Sequence, residues 1–495
     1  MTSEDGFQPS REYFEAVCAF LGGATAAELT HSELEARLTV DLREVVRQLY
    51  QDHLDLRAAK EQRLCDVVGA RAAHYGAAET DHVRPLETVF GGVTVTRLAY
   101  RHRGEENLYL ADAALNLPSE RHSHGLRELA GIESSRGSFD EAQAAIERAT
   151  GVRVGKRQTE ALARRCAVDF EAFYEQAAHV TAEMSKLVVL SCDGKGIVMR
   201  PDALRAKTAK AAAAGTAKLS TRLSKGEKRN RKRMAEVGAV YDATPTVRSP
   251  SDIIGRDEQA QRSPAPKATN KWLTASVVDD AAGVISTIFD EAERRDPTHR
   301  RTWVALVDGA VHQIERIGAE ARARGIEVAI VCDFVHVLEY LWKAAWSFFD
   351  EGDPDAEIFV ADKALAVLDG KAAVVAASLR RKATRLGLDA RARENADRCA
   401  DYLLAKGRYL DYPRALAAGW PIATGVIEGA CRHLVKDRLD LTGSRWGLDG
   451  AEAILKLRAL RSNDDWDDYW PYHLRQEHQR VHESRYFNGV VPNAA

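Results

Sequence analysis

Lys186-Leu187-Val188-Val189-Leu190-Ser191-Cys192-Asp193-Gly194-Lys195-Gly196 is an apolar, β-branched run that stops at an acid followed by glycine. Apolar residues without alternation predict a strand buried on both faces over residues 186–191. Asp193 then stands directly beyond the strand, where the following glycine allows a backbone or ligand to approach closely. Residues 237–241 (Val-Gly-Ala-Val-Tyr) and 272–278 (Trp-Leu-Thr-Ala-Ser-Val-Val) read as two more strands. Residues 302–307 and 327–332 read as a fourth and a fifth, with helices over 284–295 and 311–324 between them.

The resulting order is β-β-β-α-β-α-β. Three strands followed by alternating helix and strand is the order of a ribonuclease-H-type α/β domain, a meander followed by two parallel crossovers. After it, residues 337–419 are helical throughout and too long for a loop, which predicts a large all-α insertion. A strong helix follows over 424–440, then a break at Gly443, a helix over 449–461 and an aromatic tail around Trp466, Tyr469, Trp470 and Tyr472.

Toward the N-terminus the pattern is mainly helical from residue 10 to 77, with apolar residues three and four apart and no proline. The period switches to two around Thr88-Val89-Phe90-Gly91-Gly92-Val93-Thr94-Val95, a small β-hairpin ending near Arg103. Three short helices follow at 124–135, 139–150 and 156–170, with Ser138 as an N-cap and a glycine-bearing turn at residues 150–155. This is how a helix-turn-helix looks in sequence, with Lys156 and Arg157 near the start of the last helix, where groove-reading residues sit. A plain helical hairpin is the commoner alternative. The expected divisions are 1–83, 84–118, 119–180, 185–336, 337–419 and 420–495.

The 495 residues are 45% hydrophobic, enough for two or three domains, and the formal net charge is −3. That average hides a local imbalance. Residues 201–235 hold eleven Lys or Arg against Asp202 and Glu227, a charge of +9 that leaves −12 elsewhere. This segment, with Lys228, Arg229, Arg231, Lys232 and Arg233, interrupts the first two strands and reads as an arm that tracks phosphates, or else as a solvated insertion. The seven cysteines are scattered and never in a CxxC pair, against a disulfide framework or a zinc ribbon. With no apolar run of membrane-spanning length and no basic head before an apolar stretch, a cytoplasmic protein is expected, with no membrane partner.

Three acids stand where this topology brings chain ends together: Asp193 after the first strand, Asp308 after the fourth, and Glu428 near the start of an apolar helix. Each alone is ordinary, since an Asp after a strand is often a turn residue or an N-cap. Together, converging carboxylates suit divalent ions that prefer oxygen ligands, Mg²⁺ or Mn²⁺, and two such ions serve in-line phosphoryl transfer. Beside Glu428, Arg432 and Lys436 share its helical face, with Arg438 close by. These suit a scissile phosphate or, equally, routine surface pairs.

The set Cys192-Asp193-Gly194-Lys195-Gly196, Val307-Asp308-Gly309-Ala310, Cys332-Asp333-Phe334-Val335-His336, Ile427-Glu428-Gly429 and Leu441-Thr442-Gly443-Ser444-Arg445-Trp446-Gly447 resembles bacterial insertion-sequence DDE transposases, specifically the ISKra-type group related to the Mutator-like clade. The resemblance implies that Asp193, Asp308 and Glu428 bind two metal ions. It gives Asp333 and His336 a supporting role near the site, although Asp333 capping the helix that bears His336 explains them equally well. Beyond the Gly443 break, Arg445 and Trp446 suit holding a DNA end by charge and stacking, unless Trp446 is a core anchor. The resemblance further implies binding of element ends and target DNA, Mg-dependent strand cleavage and transfer, and a homodimer or larger assembly. A nuclease of the same fold that does not join strands, and a catalytically silent domesticated DNA-binding protein, are the alternatives.

Overall fold

A computed structural model describes residues 5–176, 183–214, 231–255, 262–441 and 443–492. The chain divides into two compact units: residues 1–176 with 464–495, and residues 177–463.

In the first unit, α1 (Gln8–Leu21) packs on the thirty-residue α2 (His31–Lys60). The buried Asp52 joins them by accepting the Ser10 amide at 3.0 Å. Helix ends at Lys60, short of the expected residue 77, and the hairpin starts earlier than expected, with β1 (Ala77–Thr88) pairing antiparallel with β2 (Gly91–Arg101). The start of β1 escaped the sequence reading because its residues, Glu79, Thr80, Asp81, His82 and Arg84, are polar and exposed or half-exposed. A bulge between Glu79 and His82 interrupts its register.

The three short helices lie where expected: α3 (His124–Arg136), α4 (Phe139–Thr150) and α5 (Lys156–Cys166). A capping box between Ser138 and Glu141 starts α4, and Gly151, at φ 76°, ends it in the left-handed conformation that glycine adopts without strain. Leu126, Ala130, Ile146, Val154 and Leu162 form their common core.

Residues 464–492, expected to continue the downstream segment, fold with this first unit. The Trp466–Val481 helix carries His473, Glu477 and Arg480. Arg127, fully buried, donates to Glu120, to Glu477 at 2.9 Å and to His473 Nε2 at 3.2 Å. Because Arg127 can only donate, His473 is the neutral tautomer whose Nδ1–H donates to Asp169 at 2.7 Å. Burial alone would raise the Asp169 carboxyl, but hydrogen bonds from His473 and Arg480 outweigh it and hold the group at about 2. Glu477 is likewise held at about 2, with bonds from Arg480 and the charge of Arg127 prevailing over burial.

Burial pushes His124 down to about 4, helped by the charge of Arg127, and His482 down to about 4 as well. In the unfolded chain both imidazoles titrate near ~6.5, so the unfolded state binds more protons between the two values and stability falls with pH. Asp169 and Glu477 extend the loss at lower pH, between their ordinary range and about 2. The thermal midpoint of this unit is therefore expected to fall steadily from about pH 6.5 downward. A midpoint flat between about pH 7 and pH 4.5 in differential scanning calorimetry would exclude the effect.

The second unit is built on a five-stranded sheet of order β5-β4-β3-β6-β7. Its strands are β3 (Leu187–Val198), β4 (Lys232–Ala243), β5 (Ala268–Ser276), β6 (Trp303–Val307) and β7 (Val328–Cys332). The first three form an antiparallel meander, and β6 and β7 run parallel to β3. The crossover helices are α6 (Ala281–Arg295) and α7 (Val311–Arg324). Gly238 lets α6 settle on the sheet: a Cβ there would lie 2.4 Å from Ile288 and 3.2 Å from Val284. Helices α8 (Phe334–Ala345), α9 (Pro354–Leu368), α10 (Ala372–Arg385) and α11 (Glu394–Ala405) make up most of the expected helical insertion.

Candidate active site

Asp193 does not follow its strand. β3 continues through Gly194 and Gly196 to Val198 because β4 remains its partner along that whole length. Only the β6 side ends early, with Ser191 against Leu306 as the last pair. Carrying that register two residues further sets Asp193 level with Asp308. The β6–β7 register, ending at Val307 against Cys332, carried one residue further sets Asp308 level with Asp333. Three aspartates thus stand at one level across three adjacent strands, at the carboxyl ends of β6 and β7 and just past the last β3–β6 pair. Neighbouring strands are ~4.8 Å apart.

Each is fixed locally. Asp193 Oδ1 accepts the Gly194 amide at 2.7 Å, and the Cys431 thiol stands 3.4 Å from Oδ2. Asp308 Oδ1 accepts the Ala310 amide at 2.8 Å. Gly309, at φ 96°, lets Tyr402 of α11 close over this turn: the Tyr402 hydroxyl donates to the Asp308 carbonyl at 3.2 Å, and a Cβ on Gly309 would lie 2.9 Å from it. Asp333 is buried and caps α8 by accepting the Val335 amide at 2.9 Å. It also accepts the Thr424 hydroxyl, which lies 3.5 Å from Glu428 Oε1. Capping and contact with the neighbourhood of Glu428 are therefore both present at Asp333. His336 packs edge-on against Tyr340 and Tyr402, which stack on each other at 4.3 Å. Burial pushes the Cys332 thiol up to about 12, so it stays neutral as a core residue.

Glu428 lies on α12 (Gly425–Ala430) and is exposed, so the expected cost of a carboxylate among apolar neighbours does not arise. Among the described residues, no group of three or more His, Cys, Asp or Glu stands close enough together to hold a metal ion. The all-oxygen donors Asp193 and Asp308 fit a hard divalent ion by chemistry and by strand register; Glu428 is not gathered with them.

The helix expected over 424–440 runs without a gap from Gly425 to Leu439, but its middle is not α. Residues Cys431–Lys436 form a π-helical turn, followed by a short helix Asp437–Leu439. Bonding from i to i+5 widens this turn, and Glu428, Arg432 and Lys436 are all exposed along the helix. Arg432 and Lys436 are exposed, with Arg432 3.6 Å from Asp437. Arg458, on α13 (Leu448–Ser462), donates to the carbonyls of His433 and Leu434 within the widened turn.

Two of the residues assigned to DNA are buried, and Trp446 takes the alternative place of a core anchor. Arg438 and Trp446 are buried and stack on each other at 4.7 Å, and the Trp446 indole donates to the Leu439 carbonyl at 3.0 Å. Both side chains lie in the core. The Trp446 segment takes the β3 edge that β6 leaves: Trp446 N donates to Val198 O and Arg200 N to Trp446 O. Arg445 beside it is exposed. Arg233 is half-buried, its guanidinium donating to the carbonyls of Val277, Val278 and Ala203. That leaves no comparable grip for phosphate. Lys232 lies 3.8 Å from Asp440, and Arg231 stands at the foot of β4. Lys228 and Arg229 lie outside the described residues. In the first unit, Lys156 and Arg157 are exposed at the start of α5, with Lys156 paired to Asp140 at 2.6 Å.

Tyr402, Thr424 and Cys431 were not singled out by the sequence reading. Nothing local marks Tyr402, which lies 94 residues from Asp308. Thr424 precedes Gly425 at the start of a helix, and that position was its only signal.

No protein-family model matches the chain, and no curated protein matches it. Among solved structures it matches the Drosophila P element transposase strand transfer complex at 10% identity, over 70% of this chain and 79% of that one, with a TM-score of 0.23. No helix among the described residues is long and apolar enough to cross a membrane.

Proposed function

We propose that this chain is a DNA transposase of the DDE type, with a ribonuclease-H-like core that cuts and joins strands at the ends of a bacterial insertion sequence. The observation that carries the reading is the level placement of Asp193, Asp308 and Asp333 on three adjacent parallel strands of a β5-β4-β3-β6-β7 sheet. Carboxyl ends of parallel strands are where open α/β sheets bind ligands. Asp193 and Asp308 would hold Mg²⁺ or Mn²⁺, with Glu428 joining once its helix closes on them. When bound, such ions supply activation of an attacking oxygen and stabilisation of the leaving one.

The chain's own residues support that chemistry. Tyr402 and Ala310 fix the Asp308 turn, and Thr424 ties Asp333 to the start of the helix that bears Glu428. Exposed Lys156 and Arg157 at the start of α5 suit duplex DNA, and exposed Arg432, Lys436 and Arg445 suit phosphates near the cut.

The test uses the full chain with supercoiled plasmid bearing the sequences that flank its gene, with Mg²⁺, Mn²⁺ or EDTA. Nicking and joined products that require a divalent ion are expected. Nicking without joining would select the nuclease alternative, and binding without any cutting the silent DNA-binding one. Full activity in EDTA would overturn the metal assignment.

A further inference from the structure

The first unit holds a cavity of about 510 Å³ that the DNA reading does not use. It lies beside the last turn of α2, between β2 and the short helix Leu110–Ala114, and its size is within the ~300–1,000 Å³ of small-molecule sites. Leu54, Val95, Leu110 and Leu115 give it an apolar lining, and the first three are buried. The space exists because neighbouring residues are short: Ala58 on α2, and Ala111 and Ala114 on the short helix, stop at Cβ. His478, on the Trp466–Val481 helix, forms part of the wall and is already fixed there. Its Nε2 stands 3.1 Å from the Ala113 carbonyl and its Nδ1 3.0 Å from Glu483.

Arg57 and Lys60 border this cavity. They are three residues apart in the last turn of α2, so they share a face, and both are exposed. Among the described residues no carboxylate pairs with either, the adjacent Glu61 included. Glu61 accepts the Leu98 amide at 2.8 Å instead, and burial raises its carboxyl above the ordinary range against that bond. Cations suit the last turn of any helix. Two unpaired ones at the rim of an apolar cavity also define a ligand, an apolar body with one anionic head. The Arg57 fork matches a planar carboxylate through two parallel bonds, and a cationic head would meet both residues with the wrong sign.

We propose that this cavity binds a small apolar carboxylate, of the class of a medium-chain fatty acid, with its head at Arg57 and Lys60 and its tail against Leu54, Val95 and Leu110. This is independent of the DNA reading and stands or falls without it. Because α2 and the Trp466–Val481 helix both line the cavity, an occupant holds the two together and raises the thermal midpoint of the unit.

The test is titration calorimetry of the full chain without DNA, using dodecanoate, dodecanol and dodecylamine below their solubility and micelle limits. One dodecanoate per chain is expected to bind in the micromolar range, at least about tenfold tighter than either of the other two. The double variant Arg57→Glu with Lys60→Glu, at exposed positions, should weaken dodecanoate at least about tenfold and favour dodecylamine, while far-ultraviolet circular dichroism stays unchanged. Ala114→Trp, also at an exposed position on the rim, should remove binding of all three by filling the space. No saturable binding of dodecanoate, equal binding of the three probes, or dodecanoate binding indifferent to the charge reversal would overturn the proposal.

Discussion

Asp308→Asn is expected to abolish metal-dependent DNA cleavage, by a factor of at least about 10³, while leaving the fold intact. The asparagine Oδ1 can still accept the Ala310 amide, and the Tyr402 bond goes to the Asp308 carbonyl and not to its side chain. Only the negative charge is removed. A thousandfold loss corresponds to ~4 kcal/mol of transition-state stabilisation, a reasonable share for one carboxylate that holds a divalent ion. Plasmid nicking and the thermal midpoint, measured on the same preparation, give the two readouts. Full nicking by Asp308→Asn would sink its assignment as a metal-binding acid, and a collapsed midpoint would show that the charge supports the fold.

Arg127→Met is expected to have the largest effect on stability. The arginine is fully buried and holds together Glu120 and Glu477, whose side chains are 14% and 7% exposed, as well as Nε2 of His473. Methionine fills much of the volume but leaves two carboxylates facing an apolar side chain. Removing one partner of a buried ion pair costs ~3–5 kcal/mol where the remaining charge is left uncompensated; Arg480 still reaches Glu477 and Arg165 still reaches Glu120, which sets the expected loss at the lower end of that range. For a unit of this size that is roughly a 10 °C drop in thermal midpoint. Arg136→Ala, which breaks an exposed pair with Glu133, serves as the control and should move the midpoint very little. Equal effects from the two would refute the claim that burial makes the Arg127 network costly to break.

Where the apolar pattern was one-sided or continuous, the sequence announced the fold. The three short helices of the first unit, α7 and the strand order of the sheet stand where their periodicity put them. The failures have physical causes. β3 was read as ending at Ser191 because Asp193, Gly194 and Gly196 resemble a turn, yet an antiparallel partner tolerates glycine as long as its own ladder persists. The π-turn at residues 431–436 was invisible because its residue types are ordinary and its widened carbonyls are met by Arg458, far along the chain. Arg438, Trp446 and Arg233 were assigned to DNA by residue type, and burial removed two and engaged the third. At the candidate site, Asp308 was legible as an acid at a strand end, whereas Asp193 was legible as an acid but lies within β3. Tyr402 was not, because its contact with the Asp308 turn exists only in three dimensions.

The first unit is assembled from both ends of the described chain, and this imposes an order on synthesis. Arg127 leaves the ribosome 350 residues before Glu477, an interval of roughly 20–70 s at ordinary elongation rates. Throughout that interval the helices around Arg127 have Glu120 as its partner but lack Glu477, His473 and Arg480. A chain that stops short of Glu477 is therefore expected to be cut by protease within residues 1–176 faster than the full chain, a difference that limited proteolysis of the two side by side measures.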